Sequence, residues 1–310
     1  MIFQENIPLA PRTTFRVGGP ARSYVAINSV ALLEEALQSA KANNWPILIL
    51  AGGSNLIISD QGFNGLVIKI EIGGVDIVAN RLTAGAGVAM SELVDRTITE
   101  GLAGLEWAGG LPGSFGGAIR GNAGAFGGEI KDNVETVTSL DQHTGQKITR
   151  TNTECHFAYR HSIFKEVDEI IIQATLRLQA GGESELRQLA DDHIRYRQEH
   201  HPMELPNAGS IFKNTPVEKI SPEVLAQFQG IVKTDPFPVV PTAGIISAAG
   251  LKGLTVGRAQ LSPKHTNYIV NLGGATATEI IGLIGKIQAA VRDRYGLDLE
   301  IEPQIVSFEV

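Results

Sequence analysis

The stretch 101–128 constrains this chain most, because eleven of its twenty-eight residues are glycine, and the chain as a whole has 35 in 310. Each glycine inside a helix or strand weakens it by roughly 0.5–1 kcal/mol, so a run this dense belongs where backbone must lie close against something. Within it, Leu111-Pro112-Gly113-Ser114-Phe115-Gly116-Gly117-Ala118 combines a stiff entry at Pro112 with small residues, and Asn122-Ala123-Gly124-Ala125 extends the small-residue surface. An earlier segment repeats the chemistry. The apolar run Ile47-Leu48-Ile49-Leu50 reads as a buried strand. It opens into Ala51-Gly52-Gly53-Ser54-Asn55. Bare N–H donors with two short polar side chains can take up a pyrophosphate without a lysine. Close helix–sheet packing also asks for glycine; two such clusters in one half of the chain favour a large nucleotide cofactor.

Two familiar phosphate motifs are excluded or disfavoured. There is no G-x-x-x-x-G-K-[ST], so the chain is not a P-loop NTPase. Gly85-Ala86-Gly87-Val88-Ala89-Met90 begins like a dinucleotide fingerprint, but Met90 stands where the third glycine belongs. A strand-to-helix turn is the better reading of that segment.

Periodicity and punctuation give the organisation. Ser29 caps a helix from about Val30 to Asn43, with Val30, Leu33, Leu37 and Ala40 on one face. Strands are expected at 47–50 and 66–70, in a hairpin of 75–79 with 82–84, and at 134–140, 147–151 and 170–178. Helices are expected near 90–99, stopped by Gly101, and at 184–200. A short one starts at Ser221-Pro222-Glu223, and the longest runs over 276–295, with Ile280, Ile284, Ile287 and Val291 as its stripe and Gly296 as its stop. Residues 234–242 read as a proline-rich loop. Leu299 and Ile301 alternate with Glu300 and Glu302 as in a strand. Adjacent strand pairs make the class α+β rather than regular βαβ. The polar segment 179–183 suggests a seam, giving a larger nucleotide-binding half over 1–180 and a smaller one over 181–310.

Charge and cysteine usage narrow the partners. With 26 basic and 33 acidic residues the net charge is −7, which argues against general nucleic-acid binding. Cys155 is the single cysteine, so neither an intrachain disulfide nor a four-cysteine zinc site can form. No signal-peptide pattern opens the sequence, no apolar run approaches ~20 residues, and no tight histidine spacing suggests a metal. A cytoplasmic protein without membrane insertion or metal is expected.

Several segments occur in a distinctive order: Thr13-Thr14-Phe15 to Gly18-Gly19; Ala51 to Asn55; Gly104-Leu105-Glu106 to Gly117; Asn122 to Ala125; Tyr159-Arg160-His161-Ser162-Ile163-Phe164; Asn207-Ala208-Gly209-Ser210-Ile211-Phe212-Lys213-Asn214; Ala249-Gly250-Leu251-Lys252-Gly253; His265 to Asn271; and Glu302-Pro303. Together they strongly resemble the UDP-N-acetylenolpyruvoylglucosamine reductase family, flavoenzymes of bacterial peptidoglycan precursor synthesis, over nearly the whole chain. The resemblance implies an FAD-binding half of the vanillyl-alcohol-oxidase (PCMH-like) type plus a smaller α+β substrate domain. It implies that NADPH reduces FAD, and that the flavin passes hydride to an enolpyruvyl ether of a UDP-sugar. The direct run from Phe164 to Ile170 looks like the shorter subtype, without the inserted substrate loop and its tyrosine contact. A monomer is expected.

The resemblance also assigns residues. Gly52, Gly53, Ser54, Asn55, Leu56, Gly113, Ser114, Gly117, Asn122, Ala123 and Gly124 are expected at FAD, and Asn214 with Lys213 at the UDP-sugar. Hydride added to C3 of the enolpyruvyl group leaves an enolate-like carboxylate, and C2 must then be protonated. Arg160 matches the catalytic arginine, a permanently charged rigid fork for that carboxylate. Glu302 matches the catalytic glutamate, which aids the carboxylate only in its protonated form. Ser210 matches the proton donor, a poor acid that proximity to a basic carbon can compensate. Arg195 and Arg197 lie two apart on a charged helix and do not share a face; one of them meeting a pyrophosphate and both facing solvent are equally open. Two other readings are a flavin oxidoreductase of the same superfamily with another substrate, and a binding protein that has lost the chemistry. Ser210, Asn214 and Glu302, which belong to the substrate half, argue against the first, and the presence of Arg160, Ser210 and Glu302 together argues against the second.

Overall fold

The computed structural model describes residues 1–234 and 237–308, so Asp235 and Pro236 of the expected loop lie outside the described residues. Two compact units emerge, and neither is continuous in sequence. The first comprises Met1–Ile7, Ala21–Gly53 and Asn64–Arg197; the second comprises Pro8–Pro20, Ser54–Phe63 and the chain from Gln198 onward.

The first unit is built on two sheets. One has the strand order Gln4–Pro8, Pro20–Ile27, Phe63–Ile70, Ile47–Leu50, and its last two strands run parallel, with Ile47 opposite Leu66. The other is antiparallel, in the order Lys147–Thr151, Val134–Asp141, Glu169–Arg177, Arg81–Gly85, Val75–Val78. The adjacent strand pairs expected from the sequence are therefore present, including the tight hairpin with Val78 opposite Arg81. The helix Val30–Ala42 starts where the Ser29 hydroxyl accepts a hydrogen bond from the Leu32 N–H, and it buries Leu33, Ala36, Leu37 and Ala40. The helix Met90–Thr99 buries Leu93, Val94 and Ile98 and runs out at Gly101, whose φ is +62°. These stripes meet Leu82, Trp107, Phe115, Val137, Phe164 and Ile172 in one apolar core.

Two expectations are corrected here. Gln179–Ala180, read as a flexible seam, forms a short strand against Leu102–Ala103. The helix Glu183–His200, assigned from sequence to the C-terminal half, belongs mostly to the first unit. It buries Leu186, Ala190 and Arg197, and Ala190 packs so tightly on Gly109 that a Cβ there would lie 2.4 Å from the Ala190 carbonyl oxygen. The contact boundary thus falls after Arg197 rather than at 180, because this helix face is apolar enough to stay with the first core.

The second unit has its own core of Phe15, Ile211, Phe212, Ile246, Ile280, Leu283, Ile284, Ile287 and Val291. Its longest helix, Ala277–Tyr295, opens with a capping box of Thr276 and Glu279 and closes on Gly296 at φ +67°. Asp60 adds a further cap, accepting from the N–H groups of Ala277 at 2.7 Å and Thr278 at 2.9 Å. A three-stranded antiparallel sheet joins Thr255–Val256, Ala259–Leu261 and Ile269–Asn271. Within the expected proline-rich loop, Val239–Val240 pairs with Thr215–Pro216. The strand expected at 299–302 is displaced. Leu299 is buried in an irregular segment, Ile301 makes only an isolated bridge to Phe212, and the strand proper is Gln304–Val306, parallel to Leu56–Ile58. Pro303 has no N–H for a ladder, so the strand begins beyond it.

Candidate active site

In the first unit the two glycine clusters meet. A Cβ on Gly52 would lie 2.4 Å from the Gly113 Cα, so only glycine permits this approach, and Gly113 itself takes φ +112°. Gly53 follows at φ +66°. The second cluster is zipped to the turn 85–90. The N–H of Met90 donates to Gly113 O at 3.1 Å, that of Phe115 to Val88 O at 2.8 Å, and that of Gly116 to Ala86 O at 2.9 Å. The segment read as a strand-to-helix turn is thus the partner of the glycine loop. Ser114 precedes the helix Phe115–Gly121, and its hydroxyl is buried without a hydrogen-bond partner among the described residues. A buried unpaired hydroxyl costs about 1–3 kcal/mol. That orphan, over a backbone surface kept free of Cβ atoms, fits a group that brings its own hydrogen-bonding atoms, as FAD does. Gly117 lies in the first turn of that helix with its backbone exposed.

The third expected segment acts as a frame. Asn122 is fully buried in a left-handed cap, its amide donating to Ala158 O at 2.9 Å and accepting from the Lys131 N–H at 3.2 Å. The Ala123 N–H donates to Ala118 O, and its carbonyl accepts from Ile130 N–H. Gly124 pairs with Glu129, and its carbonyl accepts from Arg160 Nη2 at 2.8 Å. Arg160 has φ +54° and lies over the Tyr159 ring at 5.0 Å. Lys165 Nζ donates to its carbonyl oxygen at 2.8 Å, and the Ser162 hydroxyl behind it donates to Arg120 O at 2.8 Å. The Gly124 carbonyl thus holds the guanidinium, and Lys165 holds the Arg160 backbone.

In the second unit the segment 210–213 runs between two others. On one side Ser210 lies opposite Tyr268, and the Ile211 N–H donates to Asn267 O at 2.8 Å. The buried Asn267 amide clamps Phe212 through both its N–H and its carbonyl. On the other side the Glu302 N–H donates to Ile211 O at 2.9 Å, and the Lys213 N–H to Glu300 O at 2.9 Å. Gly209, at φ +76°, delivers Ser210 from an Asn207 turn. Ser210 and Glu302 are thus brought onto adjacent segments. Asn55 joins them, its amide donating to Glu302 O at 3.3 Å and its carbonyl accepting from Gln304 N–H at 3.0 Å. Leu56 opens the strand that pairs with Gln304, and Ser54 precedes them at the start of this unit's second segment. The Lys213 ammonium is paired with the Glu300 carboxylate. The Asn214 side-chain Oδ1 accepts from the Thr242 N–H at 3.3 Å.

The structure separates the two arginines of the charged helix. Arg195 pairs with Asp192 at the surface, whereas Arg197 is only 8% exposed, donates from Nε to Gly109 O at 2.9 Å, and lies 5.1 Å from the Phe126 ring. The helical phase shared with Leu186 and Ala190 carried that signal. Among the described residues no group of three or more histidine, cysteine, aspartate or glutamate side chains could hold a metal. None of their helices is long and apolar enough to cross a membrane.

Comparison with known proteins adds two family matches. Residues 21–150 match an FAD binding domain model, and residues 201–306 match the model for the UDP-N-acetylenolpyruvoylglucosamine reductase C-terminal domain. A UDP-N-acetylenolpyruvoylglucosamine reductase of Lactobacillus delbrueckii subsp. bulgaricus is 38% identical over 99% of this chain and 96% of its own. That of Solibacter usitatus is 36% identical over 97% and 96%. The crystal structure of the corresponding reductase from Thermus caldophilus superposes with a TM-score of 0.79 at 29% identity, over 98% of this chain and all of that one.

Proposed function

Because the chain belongs to the UDP-N-acetylenolpyruvoylglucosamine reductase family, we propose that Arg160, Ser210 and Glu302 carry the reductive chemistry and that NADPH supplies its electrons. The enzyme is an FAD-dependent oxidoreductase with an FAD-binding domain of the PCMH-like type and a separate α+β C-terminal domain. It reduces UDP-N-acetylenolpyruvoylglucosamine in peptidoglycan synthesis. When bound, FAD supplies hydride for C3 of the enolpyruvyl group.

The glycine surface of Gly52, Gly53 and Gly113, with the Ser114 hydroxyl, is where the first unit would hold FAD. Ser54, Asn55, Leu56 and Gly117 complete the expected set, and Asn122, Ala123 and Gly124 keep its frame. As charge builds on the substrate carboxylate, the Arg160 guanidinium offers two N–H groups in a fixed plane. Donors aimed in advance at developing charge are usually the largest catalytic effect. Glu302 assists at the carboxylate, and Ser210 gives its hydroxyl proton to C2. Asn214, and less directly the ion-paired Lys213, meet the UDP-sugar. The observation that best supports these roles is the packing of the Ser210 and Glu302 segments against each other, with the Glu302 N–H bonded to Ile211 O at 2.9 Å.

Replacing Ser210 by alanine tests the proton-donor role. Flavin reduction by NADPH should stay within about twofold of wild type, while reoxidation by the enolpyruvyl UDP-sugar should slow by about 10²–10⁴, the range of a general acid. An equal fall in both half-reactions would rule the role out.

A further inference from the structure

A serine that gives up its proton becomes an alkoxide, and an uncompensated charge in a half-buried place is costly. Something must return the proton. Ser210 lies directly opposite Tyr268 in an antiparallel bridge. Residues so opposed carry their side chains on one face, with Cβ atoms about 5 Å apart. Tyr268 is only 7% exposed, and its hydroxyl is 3.2 Å from His201 Nδ1. The His201 and Tyr268 rings lie 5.1 Å apart at a tilt of 32°. His265 closes the group edge-on, 5.2 Å from His201 and 4.8 Å from Tyr268. His201 itself is half-exposed, so the cluster runs from the neighbour of Ser210 toward solvent. Burial pushes the His265 imidazole below its ordinary value.

We propose that Tyr268 and His201 are positioning residues that return the proton given up by Ser210, an inference that rests on the reading of Ser210 as proton donor. The Ser210 O–H bond breaks as the C–H bond at C2 forms. The Ser210 oxygen takes a proton from the Tyr268 hydroxyl, directly or through one water. The Tyr268 oxygen takes one from His201 Nδ1–H, and the His201 ring takes one from a solvent acid, so that the proton placed on C2 comes in net from solvent. No electron moves in this sequence.

The test uses the full-length FAD enzyme and follows both half-reactions by flavin absorbance. Y268F and H201Q should each slow reoxidation by the enolpyruvyl UDP-sugar about tenfold, below the full general-acid range because Ser210 remains. Flavin reduction should be unaffected. The double variant S210A/Y268F should be no slower than S210A alone, since a relay is silent once its terminus is gone. Imidazole added to H201A should restore part of the lost rate, which a merely structural role would not allow. Wild-type reoxidation in Y268F and H201Q, with S210A slow, would overturn the relay and leave Ser210 standing. Multiplied losses in the double variant, or no rescue by imidazole, would also overturn it. Wild-type reoxidation in S210A would instead remove the reading beneath it. Should Y268F fail to retain FAD, H201A with and without imidazole decides the matter.

Discussion

Arg160 adopts a left-handed backbone, φ +54°, at a residue with a full side chain. Such conformations cost about 1–3 kcal/mol and persist where surrounding structure imposes them. Here the Gly124 carbonyl holds one end of the side chain and Lys165 holds the Arg160 carbonyl. Substituting lysine keeps the charge and removes the planar fork. R160K should therefore remain folded and retain flavin while reoxidation by the UDP-sugar falls about 10²–10³-fold, a loss typical of one oxyanion donor; stopped-flow absorbance measures it. Cys155 is the contrasting case. It is fully buried, and burial pushes its thiol up to about 11. A thiol reagent at pH 8 should find no reactive group in the native protein and one equivalent after denaturation. The sequence motif around Arg160 was enough to single the residue out. Its left-handed conformation was not legible, because nothing in Tyr159-Arg160-His161 favours it locally.

At the scale of elements, the helix Ala277–Tyr295 shows what a sequence can specify. Its stripe, its Thr276 capping box and its terminal Gly296 are all local features. Asp60 is not local: it caps the same helix from 217 residues earlier in the chain. Replacing it by alanine should cost about 1 kcal/mol, as for other caps, in urea denaturation. Burial works to raise the Asp60 pKa, but hydrogen bonds from Thr278 and Ala277 outweigh it and hold the carboxyl below its ordinary value. Its contribution is therefore complete above the unfolded carboxylate value, about pH 4, and is lost as pH falls through the lower folded value. Wild type and D60A should thus converge in stability between pH 4 and the acid limit. The strand Gln304–Val306 escaped the sequence for the same reason as Asp60, since its partner Leu56–Ile58 is remote. The alternation at 299–302 pointed one step too early. At the other glycine-bearing element, G52A would drive a Cβ into Gly113 and should lower FAD retention at least tenfold on gel filtration while leaving the second unit's fold unchanged by near-UV circular dichroism.

For the whole molecule, the two cores were legible as apolar periodicity, but their membership was not. Pro8–Pro20 and Ser54–Phe63 join the second unit from the N-terminal part of the chain, and no local composition announces such returns. The phase of Leu186, Ala190 and Arg197 marks the buried face of the helix Glu183–His200 but not the core that face joins. The set proposed here as catalytic stands out in the sequence because its motifs are short and ordered. The proposed relay through Tyr268 and His201 was not legible, because only a pairing of distant segments sets Tyr268 opposite Ser210, and only the fold brings His201 to Tyr268. The most direct test of the central claim is the visible spectrum of the anaerobic protein, taken alone, after NADPH, and after UDP-N-acetylenolpyruvoylglucosamine. The account predicts a flavin spectrum that bleaches with NADPH and returns with the sugar nucleotide; a protein that takes up no FAD, or a bleached flavin that the sugar nucleotide leaves reduced, would contradict it.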